Sequence, residues 1–306
     1  NGMTTYAFSS KAPYAKLWEY SPNVSDNTVI VSQDIAASDS KLVVYTGFRK
    51  DGPNKNEMHF SFQIDVLDTK TGEVVWNLHG NDGVGYLKFD LKVIQDTLYL
   101  IDGYHENFTA YDLNNGNKKW VFSDSKTEKF HSFYFDKVTN TLVVGVSASS
   151  HERAMNNYAS AILGLDATTG ILRWKKVDSS LFGFSSLFLQ NGEIFYGAAD
   201  ICYQSIELLK LPLTKHNEWK TIQNWKDLLI CNYRGEPIKD FLKSHVVFAK
   251  DYYFTTDQGI LYSFDKSGLR TEQKLQIETW DFLENTWNDS LIYFAHDGSI
   301  GLMKIQ

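Results

Sequence analysis

"DATTGILRW" at 166–174 repeats a phrase met twice earlier, as "DTKTGEVVW" at 68–76 and "DLNNGNKKW" at 112–120. Each copy sets Asp, Gly and Trp at the same spacing: Asp68/Gly72/Trp76, Asp112/Gly116/Trp120 and Asp166/Gly170/Trp174. Three copies of one three-point spacing mark an internal repeat, and a repeat decides the architecture before any local motif does. A shorter fourth copy, "DKSGLRTE" at 265–272, keeps Asp265 and Gly268 and lacks the Trp.

The residue types explain the phrase. Asp suits a turn because its carboxylate can accept local backbone N–H bonds, and Gly suits it where the backbone needs a positive φ. Trp supplies a large apolar plate to cover a neighbouring unit, with an indole N–H that needs an acceptor.

Upstream of the phrase the chain repeats a second signal. Six polar turns each lead into a short β-branched or aromatic run: "DSKLVVYT" (39–46), "QDTLYLID" (95–102), "TNTLVVGV" (139–146), "NGEIFYGA" (191–198), "KDYYFTTD" (250–257) and "NDSLIYFA" (288–295). Such runs read as strands. Each has a strand candidate before it, such as "TVIVS", "FHSFYF", "SSLFL" or "HVVFA", and another after it, followed by the Asp–Gly–Trp phrase. The unit is therefore four antiparallel strands, A to D, with the Asp–Gly turn joining C to D.

Units of about 40–50 residues with four strands each predict an all-β β-propeller. Six units fit the chain as a single domain, with blades over 27–78, 84–122, 130–176, 183–220, 244–274 and 280–306. The last unit stops after its C strand, and "KLWEYS" at 16–21 offers a lone D strand with its own Trp18. The expectation is that this N-terminal strand completes the sixth blade and removes the exposed sheet edge.

Composition agrees with a globular all-β domain and excludes other classes. The chain has 306 residues, 43% apolar and 15% aromatic, enough for a sizeable core. Its 30 basic and 37 acidic residues leave it acidic at −7, opposite to the basic footprint of a nucleic-acid binder. No apolar run reaches the roughly 18 residues of a membrane span, and the start shows no signal peptide. Two origins fit that start: Met3 as the natural first residue, which makes the protein cytoplasmic, or a signal already removed, which makes it periplasmic or extracellular. A soluble monomer is expected.

The repeat "LDTKTGEVVW", "YDLNNGNKKW", "LDATTGILRW" resembles the quinoprotein, or PQQ-like, repeat, whose usual form is Leu-Asp-x-x-Thr-Gly-x-x-x-Trp. The likeness covers the first three blades well and the fifth weakly; in the fourth, "LPLTKHNEWK" has Trp219 without the Asp or Gly. It implies the propeller fold. The family spans quinone-dependent dehydrogenases, outer-membrane assembly lipoproteins and binding propellers, so it implies no single function. Its dehydrogenases are eight-bladed, with a vicinal disulfide over the quinone and a calcium held by Glu, Asn and Asp. Six units and no adjacent Cys pair argue against that site here, and no cofactor is expected.

The candidate site follows from where connections lengthen. In a four-stranded blade the B–C and D–A connections share one face. The B–C connections "GFRKDGPNKNEMH" (47–59) and "SASSHERAMNNY" (147–158), and the insertion 221–244 between the fourth and fifth blades, all project from it. Long loops on a rigid scaffold are common recognition elements. The insertion holds Trp225, Leu229, Tyr233, Arg234 and Phe241, too apolar for a solvated linker, and reads as a short helix over the channel mouth or an anchor for a partner. Phe48, Met58 and Tyr158 join it as candidate contacts.

The favoured reading is a non-catalytic scaffold binding a protein or peptide, as an inhibitor or assembly factor, with the acidic balance suiting a basic partner. The alternative is an enzyme, a hydrolase or a metal-dependent one, with Asp, Glu and His from several blades at the channel mouth. His59, His79, His105, His131, His151, His245 and His296, with Glu106, Glu152 and Asp297, fall on that same face. None shows metal-ligand spacing, and no nucleophile motif is present, so no catalytic or metal-ligating residue is singled out. Cys202 and Cys231 fall on that face in adjacent blades, which leaves both a disulfide and two free thiols open.

Overall fold

The computed structural model describes residues 4–9, 15–24, 28–52, 58–83, 89–102, 107–123, 129–147, 160–178, 184–190, 193–199, 206–212, 220–225, 247–248, 252–255, 260–264, 270–274, 279–287, 290–295 and 300–304. Among these all regular structure is β. The N-terminal hairpin pairs β1 (Thr5–Phe8) with β2 (Lys16–Tyr20). The first four-stranded sheet follows as β3 (Thr28–Ala37), β4 (Lys41–Asp51), β5 (Met58–Asp68) and β6 (Val74–Gly83).

The next sheets repeat that order. The second holds β7 (Phe89–Ile94), β8 (Thr97–Asp102), β9 (Asn107–Asp112) and β10 (Lys118–Ser123). The third holds β11 (Lys129–Asp136), β12 (Thr141–Ser147), β13 (Ser160–Asp166) and β14 (Leu172–Asp178). The fourth holds β15 (Phe184–Gln190), β16 (Glu193–Ala199), β17 (Ile206–Pro212) and β18 (Lys220–Trp225), and the fifth β19 (Val247–Phe248), β20 (Tyr252–Thr255), β21 (Ile260–Phe264) and β22 (Arg270–Lys274). A three-stranded sheet, β23 (Thr279–Trp287), β24 (Ser290–Ala295) and β25 (Ile300–Lys304), closes the order. Among the described strands, neighbours in each sheet are consecutive in sequence, antiparallel in pairs such as β3–β4, β7–β8, β15–β16 and β23–β24, and the six expected B strands appear as β4, β8, β12, β16, β20 and β24.

The chain divides into two compact units, Asn1–His131 with Thr168–Ile171, and Ser132–Ala167 with Leu172–Gln306. In the first, one face of the first sheet packs on the second. Val43, Tyr45, Phe62, Ile64 and Val66 meet Leu91, Leu98, Leu100, Tyr111 and Leu113, with Trp76 packed against them. Alternate residues of β4 and β5 supply this face, as the period-2 geometry of a strand requires.

The Asp–Gly–Trp phrase is the device that joins one repeat to the next. Gly72, Gly116 and Gly170 all have positive φ, +75°, +75° and +72°. The amides of Gly72 and Gly116 donate to the carbonyls of Asp68 and Asp112, and Asp68 Oδ1 accepts from the Lys70 and Thr71 amides. On each glycine lies the Trp of the preceding repeat: Trp18 on Gly72, Trp76 on Gly116 and Trp120 on Gly170. The indole N–H of Trp18 donates to Thr69 O at 2.9 Å, and that of Trp76 to Leu113 O at 2.7 Å. The plate, its acceptor and the bare glycine thus form one joint.

A cation backs each turn, a detail the repeat phrase did not announce. Lys41 lies 3.5 Å from Asp68, Lys119 lies 3.9 Å from Asp112, and Arg173 bonds Asp166. Lys119 and Arg173 hold the same place in their repeats, where the first repeat has Val75.

The Lys70 and Thr71 amide bonds, with Lys41 beside them, hold the Asp68 carboxyl below the ordinary Asp range. A lowered pKa means the turn's support is present above the unfolded value and lost as pH falls through the folded one. In an NMR titration the Lys70 and Thr71 amide shifts should therefore move with a midpoint below about 3.9, the ordinary Asp value. A midpoint at or above that value contradicts the bonding.

Three expectations change. Lys16–Tyr20 pairs with Thr5–Phe8, and the sheet it was expected to complete has three described strands; the strand nonetheless delivers Trp18 to the first repeat's turn. The stretch 47–59 is largely hairpin, because β4 and β5 stay in register out to Asp51↔Met58; Arg49, Lys50 and Asp51 look like a loop only because a strand tip is polar. Trp225, assigned to the insertion, lies in β18 opposite Ile206, so the fourth D strand begins where that blade was expected to end.

Trp174, half-buried as Trp76 is, lays its indole against Gly164 of its own sheet. The register gives the reason. Trp76 stands opposite Val66 and Trp120 opposite Ala110, whereas Trp174 stands opposite Gly164, which has no Cβ to hold the ring off the strand. A Cβ there would fall 2.1 Å from the indole's Cε2. The fourth repeat also has neither the Asp nor the Gly that would receive a Trp from the third.

Candidate functional site

In an antiparallel sheet B and D run the same way, so the B–C and D–A connections leave one end and the A–B and C–D turns the other. Among the described strands, the two longest intervals between consecutive ones, 148–159 and 226–246, separate a B from a C strand and a D from an A strand. Tyr158, Leu229, Tyr233, Arg234, Phe241, Cys202 and Cys231 lie outside the described residues, as do His105, His151, His216, His245 and His296. Among the described residues no three His, Cys, Asp or Glu side chains are grouped to hold a metal, and no helix is long and apolar enough to cross a membrane.

What the structure does bring together lies at the B–C/D–A end of the first sheet. Phe48, expected as a free contact, is 7% exposed and lines a pocket of about 420 Å³. Strands β3, β4, β5 and β6 contribute Thr28, Lys50, Ser61, Gln63, Asn77 and His79, and Asn23 closes it from the segment after β2. Phe62 and Gly80 form a bare wall, for a Cβ on Gly80 would stand 2.3 Å from the Phe62 ring. Met58 stands at the start of β5, opposite Asp51.

Toward the middle of the sheet the polar lining passes into a polar row, buried at its centre, that periodicity alone does not reveal. The register aligns Gln33, Thr46, Gln63 and His79 across all four strands. Thr46 is fully buried, and its Oγ1, with Ser32 Oγ and Gln33 Nε2, has no hydrogen-bond partner among the described residues. Asp65, two residues on from Gln63 in β5, is 1% exposed and satisfied: Gln63 Nε2 donates to its Oδ2 at 2.7 Å, and the Tyr20 hydroxyl donates to the same oxygen. A buried carboxylate needs such donors.

Burial, then the bond to Asp65, pushes the Tyr20 phenol above its ordinary value. A raised folded pKa means that stability from this group is complete below the unfolded value, about 10, and is lost as pH rises through the folded one. Tyr20→Phe removes a bond to a charged, buried acceptor and should cost about 1.5–3 kcal/mol in urea unfolding. It should also diminish the loss of stability above about pH 10. Equal stability of the variant would show that Asp65 draws nothing from Tyr20.

No protein-family model matches the chain, and no curated protein does. Solved structures match it over most of its length at low identity. A chain of a mitotic checkpoint complex aligns with a TM-score of 0.63 at 12% identity, covering 99% of this chain and 84% of that one. The β-propeller domain of Myceliophteria thermophila Cps50 (Swd1) aligns with a TM-score of 0.57 at 9% identity, over 92% of this chain and 100% of that one. Chaetomium thermophilum Raptor aligns with a TM-score of 0.60 at 13% identity, over 96% of this chain and 25% of the Raptor chain. With its run of antiparallel four-stranded sheets and its end-to-end likeness to a propeller domain, the chain is an all-β protein of the β-propeller fold.

Proposed function

We propose that this chain is a non-catalytic scaffold that binds a protein or peptide through the B–C/D–A ends of its sheets. The observation that carries the reading is the placement of the two longest interstrand intervals at that end, while the described C–D turns of the first three repeats stay short. Loops of this kind on a rigid framework are where propellers and other scaffolds carry recognition. The similar structures lend support, one being part of a mitotic checkpoint complex; a likeness of fold alone leaves the partner to the chemistry of the loops.

In this reading the propeller has six blades of the PQQ-like type without a quinone or calcium site. The protein is a monomer in this reading. The contacts are Leu229, Tyr233, Arg234 and Phe241 of the 226–246 connection, next to Trp225 at the end of β18, with Met58 and Tyr158 from the B–C connections. Aromatic and Arg anchors of this sort dominate binding energy at interfaces. The net charge of −7 favours a basic partner or one with a basic patch, as an inhibited enzyme or an assembling subunit would present.

The test is affinity capture from native lysate with the wild-type chain and with one in which 226–246 is replaced by a short Gly/Ser loop. Loss of a specific partner, with an unchanged circular dichroism spectrum, supports the assignment. The same partner retained by the replaced chain, or none captured by the wild type, overturns it.

A further inference from the structure

The pocket in the first sheet does not resemble a surface for a protein partner, and we propose that it binds a small polyhydroxylated carboxylate, a sugar acid in chemical class. Its volume, about 420 Å³, lies in the range of small-ligand sites, about 300–1,000 Å³. Most such sites are apolar with a few polar groups; here most of the described lining residues are polar, with Phe48, Phe62 and Gly80 as the apolar part. Asn23, Thr28, Ser61 and Asn77 present amides and hydroxyls, groups that both donate and accept. Vicinal hydroxyls of a sugar ask for that pairing, because each is itself donor and acceptor.

The charge in the pocket decides the rest. Lys50 is exposed, lines the pocket and has no ion-pair partner among the described residues, whereas its sequence neighbours Arg49 and Asp51 pair with each other. No Asp or Glu is among the described lining residues, and His79 adds a second nitrogen donor. A cation finds no counter-charge among them. A carboxylate finds an ammonium for a charge-assisted bond, which is roughly twice as strong as a neutral one. In a chain of net −7, a pocket whose described lining holds a lysine and no carboxylate is the less expected arrangement.

The scaffold reading is not a premise of this site: its ligand is a small molecule, and partner capture with or without 226–246 leaves it untouched. The experiment is ligand-detected saturation-transfer NMR on the full chain with glucuronate, glucose and acetate, each at about 1 mM. Glucuronate should show transfer. Glucose, lacking the charge, and acetate, lacking the hydroxyls, should each bind at least about tenfold more weakly. Lys50→Gln should weaken glucuronate about tenfold or more and leave glucose unchanged, while Asn77→Ala should weaken both by about fivefold. Both side chains are exposed, so melting curves should match the wild type.

No transfer from glucuronate to the wild-type chain overturns the proposal, as does a Lys50→Gln variant that binds it equally. Acetate competing as well as glucuronate overturns the polyhydroxyl part, leaving a site for bare anions.

Discussion

Trp120→Ala is expected to destabilise the chain by about 3–5 kcal/mol, the usual cost of removing a buried Trp, and to lower its melting temperature by roughly 10 °C. Trp120 is 9% exposed and sits at the centre of an aromatic group. Its ring meets Phe108 edge-on at 5.5 Å and Tyr99 at 5.9 Å, and Phe130 packs on Phe108 from beyond. The same indole lies flat on Gly170, so alanine loses the aromatic contacts and the joint to the next repeat together. Thermal and urea unfolding followed by circular dichroism measure the change. A loss under about 1 kcal/mol would mean that repeat-to-repeat packing does not run through the Trp.

Gly170→Ala should cost about 2–4 kcal/mol from the opposite side of that joint. At φ +72° an L side chain adds about 1–2 kcal/mol of strain, and its Cβ would stand 2.6 Å from Trp120 Cδ2, inside any real carbon contact. The atom struck belongs to the inner edge of the indole, which cannot swing away as a flexible tip could. The two substitutions should therefore be non-additive. In Trp120→Ala the clash is gone, and adding Gly170→Ala should cost only the φ strain, about 1–2 kcal/mol. Full additivity in the double-mutant cycle would show that the glycine is required for its backbone alone.

Trp18, Trp76 and Trp120 explain why so much of the fold was legible. A joint that recurs must recur in sequence, and its three parts are residue types with few substitutes: a turn carboxylate, a positive-φ glycine and an indole. The phrase does not state what lies beneath its Trp within the sheet: Trp174 lies against Gly164, ten residues earlier and outside the phrase. The B strands were legible for a related reason, being continuous apolar runs bounded by turns. Strand ends were less so. Arg49, Lys50 and Asp51 belong to paired β4 but read as loop, since at a hairpin tip the ladder continues after burial has stopped. In the fourth repeat the Asp and Gly are missing, so Trp219 drew the strand end too early, and β18 runs on to Trp225.

The pocket was hidden for a different reason. Thr28, Lys50, Gln63 and His79 are scattered from position 28 to position 79 and converge only through the register of three antiparallel pairings, which no linear pattern states. Asp65 likewise reads as a surface residue of a strand until Tyr20, 45 residues earlier, is seen to cap it. The one local signal was Lys50, a cation beside an internally paired Arg49 and Asp51, and it marks a site only once the lining is known.

The central claim is that recognition belongs to the B–C/D–A end of the sheets. Lysine-directed cross-linking of the chain to its captured partner tests it most directly, because lysines stand at both ends. Lys50 lies at the tip of β4, and Lys226, Lys239 and Lys243 fall in the 226–246 connection, whereas Lys41, Lys70, Lys118 and Lys137 lie at the A–B and C–D turns. Cross-links gathered on the first group are the expected result. Cross-links gathered on Lys41, Lys70, Lys118 and Lys137 would place the partner on the opposite end and contradict the claim.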